Sequence, residues 1–342
     1  MLSISSTASL DEHLSRPDDA VLETLRRTPG DFLVAGAGGK MGSHVCLMLR
    51  RALDSIGRSS SAVFAVSRFS VPQTCQLMQQ AGVITVPCDL LDRRSLESLP
   101  EARSVIFMAG QKFGTSGKPE QTWAVNTLLP ALVAERFARS RMVVFSTGCV
   151  YPLTAVSGSG SAEEDPLLPP GEYAASCVGR ERIIGYYSQM NQMPALMFRL
   201  CYSVELRYGV LSDIARRVFA GFPVDVQMGW VQVIWQRDAA ARAIRSFDFV
   251  SCPPPALNVT GSRRLSVRWL AEQFGNRFGQ QPLFSGEESA TAWHWNAAKA
   301  TELFGAPETS LDQMLDAVAD WIRAGGESLG KPTHFEVQDG NY

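Results

Sequence analysis

Long apolar runs are missing from this chain: the longest, such as Ser104 to Ala109 and Met142 to Phe145, have strand length and fall well short of the ~20 residues of a bilayer-spanning helix. No transmembrane helix is expected. Nor is there a basic excess, because 32 Lys and Arg stand against 34 Asp and Glu, scattered along the chain, for a formal net charge of -2. This removes the electrostatic footprint of a nucleic-acid or anionic-membrane partner. Seven cysteines (Cys46, Cys75, Cys88, Cys149, Cys177, Cys201, Cys252) occur singly, with no Cys-x-x-Cys pair and no His at ligand spacing, and the four His are equally dispersed. Reduced thiols are expected, and neither structural zinc nor metal catalysis has support. Met1 to Arg16 has neither a basic n-region nor an apolar h-region, so no secretory signal is expected and the chain is placed in the cytoplasm.

What is present is an ordinary globular composition, 45% hydrophobic over 342 residues, enough for a large core in one elaborate domain or two joined ones. Asp11 to Thr28 reads as one helix ahead of a Pro29-Gly30 break. From Asp31 onward apolar runs alternate with amphipathic ones. The runs predict strands at Phe32 to Ala35, Ala62 to Val66, Val83 to Val86, Ser104 to Met108, Met142 to Ser146, Ala195 to Arg199 and Ala256 to Val259. Helices are predicted at Gly42 to Leu53, Thr122 to Ser140 and Ala174 to Tyr187. Such alternation implies an α/β fold of Rossmann type, a doubly wound parallel sheet. Val156 to Gly171 reads as a loop, and the polar end from Gly325 to Tyr342 as a flexible tail or a segment that docks on a neighbour.

The run Phe32-Leu-Val-Ala-Gly36-Ala-Gly38-Gly39-Lys40-Met41-Gly42 sets glycines between a strand and a helix. Gly36 permits the tight turn, Gly39 lets backbone amides approach a pyrophosphate, and Gly42 lets helix and strand pack closely, with the phosphates at the helix N-terminus. A dinucleotide cofactor is therefore expected on Gly36, Gly38, Gly39, Lys40, Met41 and Gly42. Where an acid at the end of the second strand would favour NAD, the chain reads Ser67-Arg68. A small residue followed by a bidentate cation favours NADP, with NAD the alternative.

From about Asp31 to Ile322 the chain resembles the extended short-chain dehydrogenase/reductases, the superfamily of sugar-nucleotide epimerases, dehydratases and related reductases. The glycine spacing Gly36-x-x-Gly39-x-x-Gly42 carries the resemblance, together with Arg199-Leu-Cys-Tyr202, Asp238-Ala-Ala-Ala241, Leu257-Asn258-Val259-Thr260-Gly261 and Trp295-Asn296-Ala-Ala-Lys299 in the superfamily's order. It implies adenine contacts at Asp89 and Leu90, and a loop along the nicotinamide ribose at Ala109, Gly110 and Lys112. It also implies an active-site-ordering role for Asn126. Its division of the chain is an N-terminal extension (1–30), a cofactor core (31–202) and a substrate segment (203–229). A return to the core (230–262), a smaller C-terminal substrate region (263–324) and a polar tail (325–342) complete it.

The resemblance also implies chemistry. Phe145-Ser-Thr147-Gly-Cys-Val-Tyr151 resembles the strand-end motif whose hydroxyl positions the substrate oxygen, which selects Thr147, with Ser146 second and Tyr151 lining the site. Glu172-Tyr173-Ala-Ala-Ser-Cys177 resembles the helix that carries the proton-transferring Tyr, here Tyr173. One helical turn on, where the superfamily has a Lys that lowers the Tyr pKa, stands Cys177. Lys112 is one candidate to supply the missing charge. For the substrate, Tyr202, Arg207 and Trp235 are candidate contacts, and a hydroxylated small molecule is the expected partner, with a homodimer as the assembly. The leading reading is an NADP-preferring oxidoreductase acting on a secondary alcohol or ketone of a sugar-like or polyol substrate. The alternatives are an epimerase or dehydratase with tightly held cofactor, and a cofactor-binding sensor without turnover.

Overall fold

The computed structural model describes residues 4–112, 117–331 and 333–340. Parts of the expected N-terminal extension (1–3) and tail (332, 341–342) lie outside the described residues. Seven parallel strands form the central sheet: β1 (Phe32–Ala35), β2 (Val63–Ser67), β3 (Ile84–Pro87), β4 (Ser104–Phe107), β5 (Arg141–Thr147), β6 (Ala195–Leu200) and β7 (Ala256–Val259). Their order is β7-β6-β5-β4-β1-β2-β3, so strand order reverses beside β1, where Ala35 pairs with Phe107 of β4. At such a switch point the connections leave in opposite directions and open a crevice beyond the carboxyl ends of the strands.

Apart from the edge strand β3, the sheet is buried on both faces, which explains why its strands read as continuous apolar runs. Along β1, Phe32 and Val34 face one layer while Leu33 and Ala35 face the other. A third apolar cluster, built around Trp235, Trp293, Trp295 and the helices Val210–Phe219, Val267–Phe278 and Leu311–Arg323, forms a smaller lobe over the carboxyl edge.

Three expectations change. The N-terminal extension holds two helices, Thr7–Leu14 and Asp19–Arg27, because Pro17 lies between them and Asp18 caps the second by accepting from Val21 N at 2.7 Å. The predicted helix Thr122 to Ser140 is broken: Pro119–Trp123 runs into a wide π-type turn, Ala124–Leu128, before Leu129–Arg136. Finally, the polar tail docks on its own chain. Phe335 is buried, Thr333 donates from N and from Oγ1 to Asp213 Oδ2 at 2.8 and 2.6 Å, and Gly340 packs on Pro170.

Candidate active site

The glycine turn divides its work. Gly36 has φ +94°, and a Cβ there would fall 2.6 Å from Ala109 N; at Gly42 a Cβ would fall 2.6 Å from Ala37 Cα. The protein's own packing thus demands these two glycines. At Gly38 a Cβ would strike Ser67 Oγ at 2.6 Å, so Gly38 backs onto β2 and does not line the cavity. Gly39 is different, since a Cβ would meet only Gly36 O at 3.3 Å. Its outer face is open toward the cleft at the N-terminus of the helix Gly42–Ser55, as backbone approach by a pyrophosphate requires. These residues fit a dinucleotide.

Along the rest of the edge, Arg68 and Asp89 are exposed, and the Asp89 carboxylate accepts from Leu91 N at 3.1 Å. Leu90 is buried in the layer beneath, so only its backbone is left to face a ligand. The cavity itself, about 380 Å³, is lined by the turn residues Lys40, Met41 and Gly42, by Gly110 and Lys112 after β4, by Thr147 at the end of β5, and by Tyr173 and Tyr202.

Tyr173 opens the helix Gly171–Asn191, and its hydroxyl is hydrogen-bonded to Thr147. Burial pushes this phenol well above its usual range, with the Cys177 and Cys149 thiols adding to the rise and the Arg180 guanidinium and Thr147 opposing it. Cys177 is fully buried, makes a side-chain hydrogen bond to Tyr173, and is raised by burial to about 11. It sits as a small hydrophobe under the helix, not as a ready thiolate. Lys112 comes from the loop after β4 into the same neighbourhood. Burial lowers its pKa, while Cys149 and Cys177 are close enough to act against that. Burial therefore favours the neutral form of both Tyr173 and Lys112, and a tyrosinate–ammonium pair formed there would offset part of the desolvation of both.

Asn126 sits in the wide turn and is fully buried. Its Oδ1 accepts from Gln111 N at 2.9 Å, and its Nδ2 donates to Gln111 O at 2.9 Å and Ser176 Oγ at 3.0 Å. One amide thus ties the Lys112 loop to the Tyr173 helix. Arg180, which the motif reading did not select, completes the tie. It donates to Phe145 O at 2.7 Å and Asn126 Oδ1 at 2.9 Å and lies beneath Gly110. Its signal in the sequence was its place seven residues after Tyr173, on the same helix face. Trp295 was also missed as a wall: it donates from Nε1 to Gly148 O at 2.9 Å and stands edge-on to Tyr202.

Several candidate substrate contacts are placed elsewhere. Ser146 lines the cavity, but its hydroxyl is committed to Glu181 Oε1 at 2.5 Å. Tyr151 is fully buried away from the cavity, donating to Asn258 Oδ1 at 2.9 Å and accepting from Arg199. Trp235 is fully buried core, with Nε1 on His13 at 3.2 Å. Arg207 is held by Asp11 at 2.9 Å and Glu205 at 3.1 Å, where it anchors the N-terminal helix. Among the described residues no cluster of His, Cys, Asp and Glu could hold a metal, and no helix is long and apolar enough to cross a membrane.

A sequence model of the NAD-dependent epimerase/dehydratase family matches residues 32–218. Comparison with curated proteins gives no match. Among solved structures, the chain is similar to the UDP-glucose 4-epimerase of Thermus thermophilus in complex with NAD, at TM-score 0.70 and 18% identity over 86% of this chain and 99% of that one. It is similar to the UDP-glucuronic acid 4-epimerase of Bacillus cereus in complex with UDP-glucuronic acid and NAD, at 0.69 and 18% over 86% and 99%. The dTDP-glucose 4,6-dehydratase of Bacillus anthracis in complex with NAD gives 0.72 and 15%, over 86% and 97%. At these identities the structures establish the fold, the seven-stranded Rossmann sheet with its added lobe. The family model spans more than half of the sequence, and the chain belongs to the NAD-dependent epimerase/dehydratase family.

Proposed function

We propose that the protein is an NADP-preferring oxidoreductase of the cytoplasm that interconverts a secondary alcohol and a ketone on a small, sugar-like or polyol substrate. The observation that carries this reading is the meeting of the Tyr173 hydroxyl with Thr147 at the carboxyl end of β5, inside the same cavity that the glycine turn lines. When bound there, the nicotinamide supplies the hydride donor or acceptor. Tyr173 gives or takes the carbinol proton, and Thr147 holds the reacting oxygen within hydrogen-bond reach. Lys112 provides the positive charge that Cys177 does not, and Arg180 with Asn126 fixes the loop and helix that bring Lys112 and Tyr173 together. The preference for NADP rests on Ser67-Arg68 at the end of β2, where no carboxylate stands to repel a ribose phosphate.

The C-terminal tail walls this cavity on one side through Thr333. The second reading is an epimerase or dehydratase with tightly held cofactor, favoured by the activities of the proteins whose structures are similar. The two separate on purification, since an epimerase carries cofactor through and needs none added, whereas the oxidoreductase consumes or produces NADPH stoichiometrically. Incubating the purified protein with NADP or NADPH and a panel of polyols and keto-sugars, while following nicotinamide absorbance, decides between them; no stoichiometric absorbance change on any substrate would remove the leading reading. For the assembly we infer a homodimer, on the exposed apolar side chains Trp123, Leu128, Tyr186 and Met190 of three neighbouring helical segments. A monomeric mass in light scattering would contradict that.

A further inference from the structure

We propose that the substrate carries an anionic group, a carboxylate or a phosphate, seated between Lys40, Tyr208 and the C-terminal tail. The inference rests on the functional reading above and names the substrate class for that cavity.

Among the described residues, the charged ones that line the cavity are Lys40 and Lys112, with no carboxylate in the lining. Lys40 belongs to the phosphate-binding turn by sequence, yet its ammonium lies 3.1 Å from the centroid of the Tyr208 ring, which the chain brings in after β6. It therefore reaches toward the lobe that covers the substrate end. The backbone of the turn and the N-terminus of the helix Gly42–Ser55 remain for the cofactor's pyrophosphate.

The tail adds a third cation. Thr333 forms part of the cavity wall, pinned to Asp213 by two hydrogen bonds, and two residues earlier stands Lys331. Burial, then Lys331, then Lys112 hold the Lys40 ammonium down to about 7, against the opposing pull of Asp213 and Glu205. Both carboxylates are engaged, Asp213 by Thr333 and Glu205 by Arg207 at 3.1 Å. Lys40 and Lys112 share the partly dry cavity with the exposed Lys331 outside its lining, so like charges face one another at a cost, and an oxyanion beside Lys40 offsets the repulsion and raises Lys40 toward its ordinary range. The Tyr208 phenol lies beside the same spot and is a further donor to such a group.

Competitive amine labelling tests this without knowledge of the substrate. NADP affinity is first measured by titration. The protein, with and without saturating NADP, is then briefly acylated and read by peptide mass spectrometry, with Lys118 and Lys299 as internal references. D-gluconate and inorganic phosphate are the charged probes, and sorbitol is gluconate's uncharged counterpart. A bound anion raises the Lys40 pKa, and each unit of rise cuts its neutral-amine fraction about tenfold. Gluconate, phosphate or both should therefore slow Lys40 labelling severalfold relative to the references, which tells carboxylate from phosphate, and sorbitol should not. Lys331→Met should weaken that protection. Equal labelling with all probes overturns the proposal, as does protection only where the anion displaces NADP, because the cluster would then belong to the cofactor site. If NADP fails to bind at all, the functional reading falls, while labelling without cofactor still reports on the anion site.

Discussion

Moving the catalytic cation from one element to another tests whether Lys112 substitutes for the absent helix Lys. Lys112 and Tyr173 both lie close enough to the thiols of Cys149 and Cys177 for electrostatic interaction. For opposite charges roughly 6 Å apart at an effective dielectric of about 20, the attraction is about 3 kcal/mol, or about 2 pKa units on the phenol. Lys112→Met should therefore raise the Tyr173 ionisation, by up to about that much where the ammonium persists as Tyr173 ionises. The sign is fixed by the charge: losing a nearby cation disfavours tyrosinate, so the alkaline limb moves to higher pH. Adding Cys177→Lys in the Lys112→Met background returns a cation to the helix face beneath Tyr173 and should bring the limb back. Cys177→Lys alone should do less, since it crowds Lys112 and Arg180 in a fully buried position. The assay is tyrosinate absorbance against pH, taken as the difference from Tyr173→Phe so that the other six tyrosines cancel. An unchanged limb in Lys112→Met would refute the reasoning and leave Arg180 as the cation that governs Tyr173.

The remaining predictions address cofactor and core. NADP should bind more tightly than NAD, and Arg68→Ala should erase most of the difference in a fluorescence titration; equal affinities in the unaltered protein would overturn the assignment. Gly39→Val should lose NADP binding with little change in melting temperature, because its Cβ would meet only Gly36 O at 3.3 Å, whereas Gly42→Val, facing backbone at 2.6 Å, should unfold the turn and lower stability as well. If the two variants behave alike, the division of work in the turn is wrong. Trp235→Ala should cost ~3–5 kcal/mol in denaturant unfolding, as a fully buried ring lost from the core; a loss of activity at unchanged stability would instead return Trp235 to the substrate site.

The parts of the molecule that follow local rules were legible in the sequence. Apolar runs such as Phe32–Ala35 and Ser104–Phe107 are strands because both faces of the sheet are covered, and the Gly36 turn is dictated by backbone approach to Ala109. The Thr147–Tyr173 pair was legible for a similar reason: a strand end and a helix start are set by topology. Contacts between distant segments were not. Tyr151 and Trp235 read as polar and aromatic groups fit for a ligand, yet partners more than a hundred residues away, Asn258 and His13, draw them into the interior. Arg207 was claimed by Asp11 of the N-terminal extension, and the polar tail by Asp213. Arg180 escaped the motif reading because the superfamily pattern gives that position no role, although helical spacing alone puts it on the Tyr173 face.

The central claim, that the cavity performs hydride chemistry with Tyr173 as proton carrier, is tested most directly by nicotinamide absorbance in the unaltered protein and in Tyr173→Phe. Both are assayed with saturating NADP and the best substrate from the polyol, keto-sugar and sugar-acid panel. Removing only the hydroxyl should cut turnover about a hundredfold or more while NADP affinity changes little. A Tyr173→Phe protein that turns over at the unaltered rate would contradict the account.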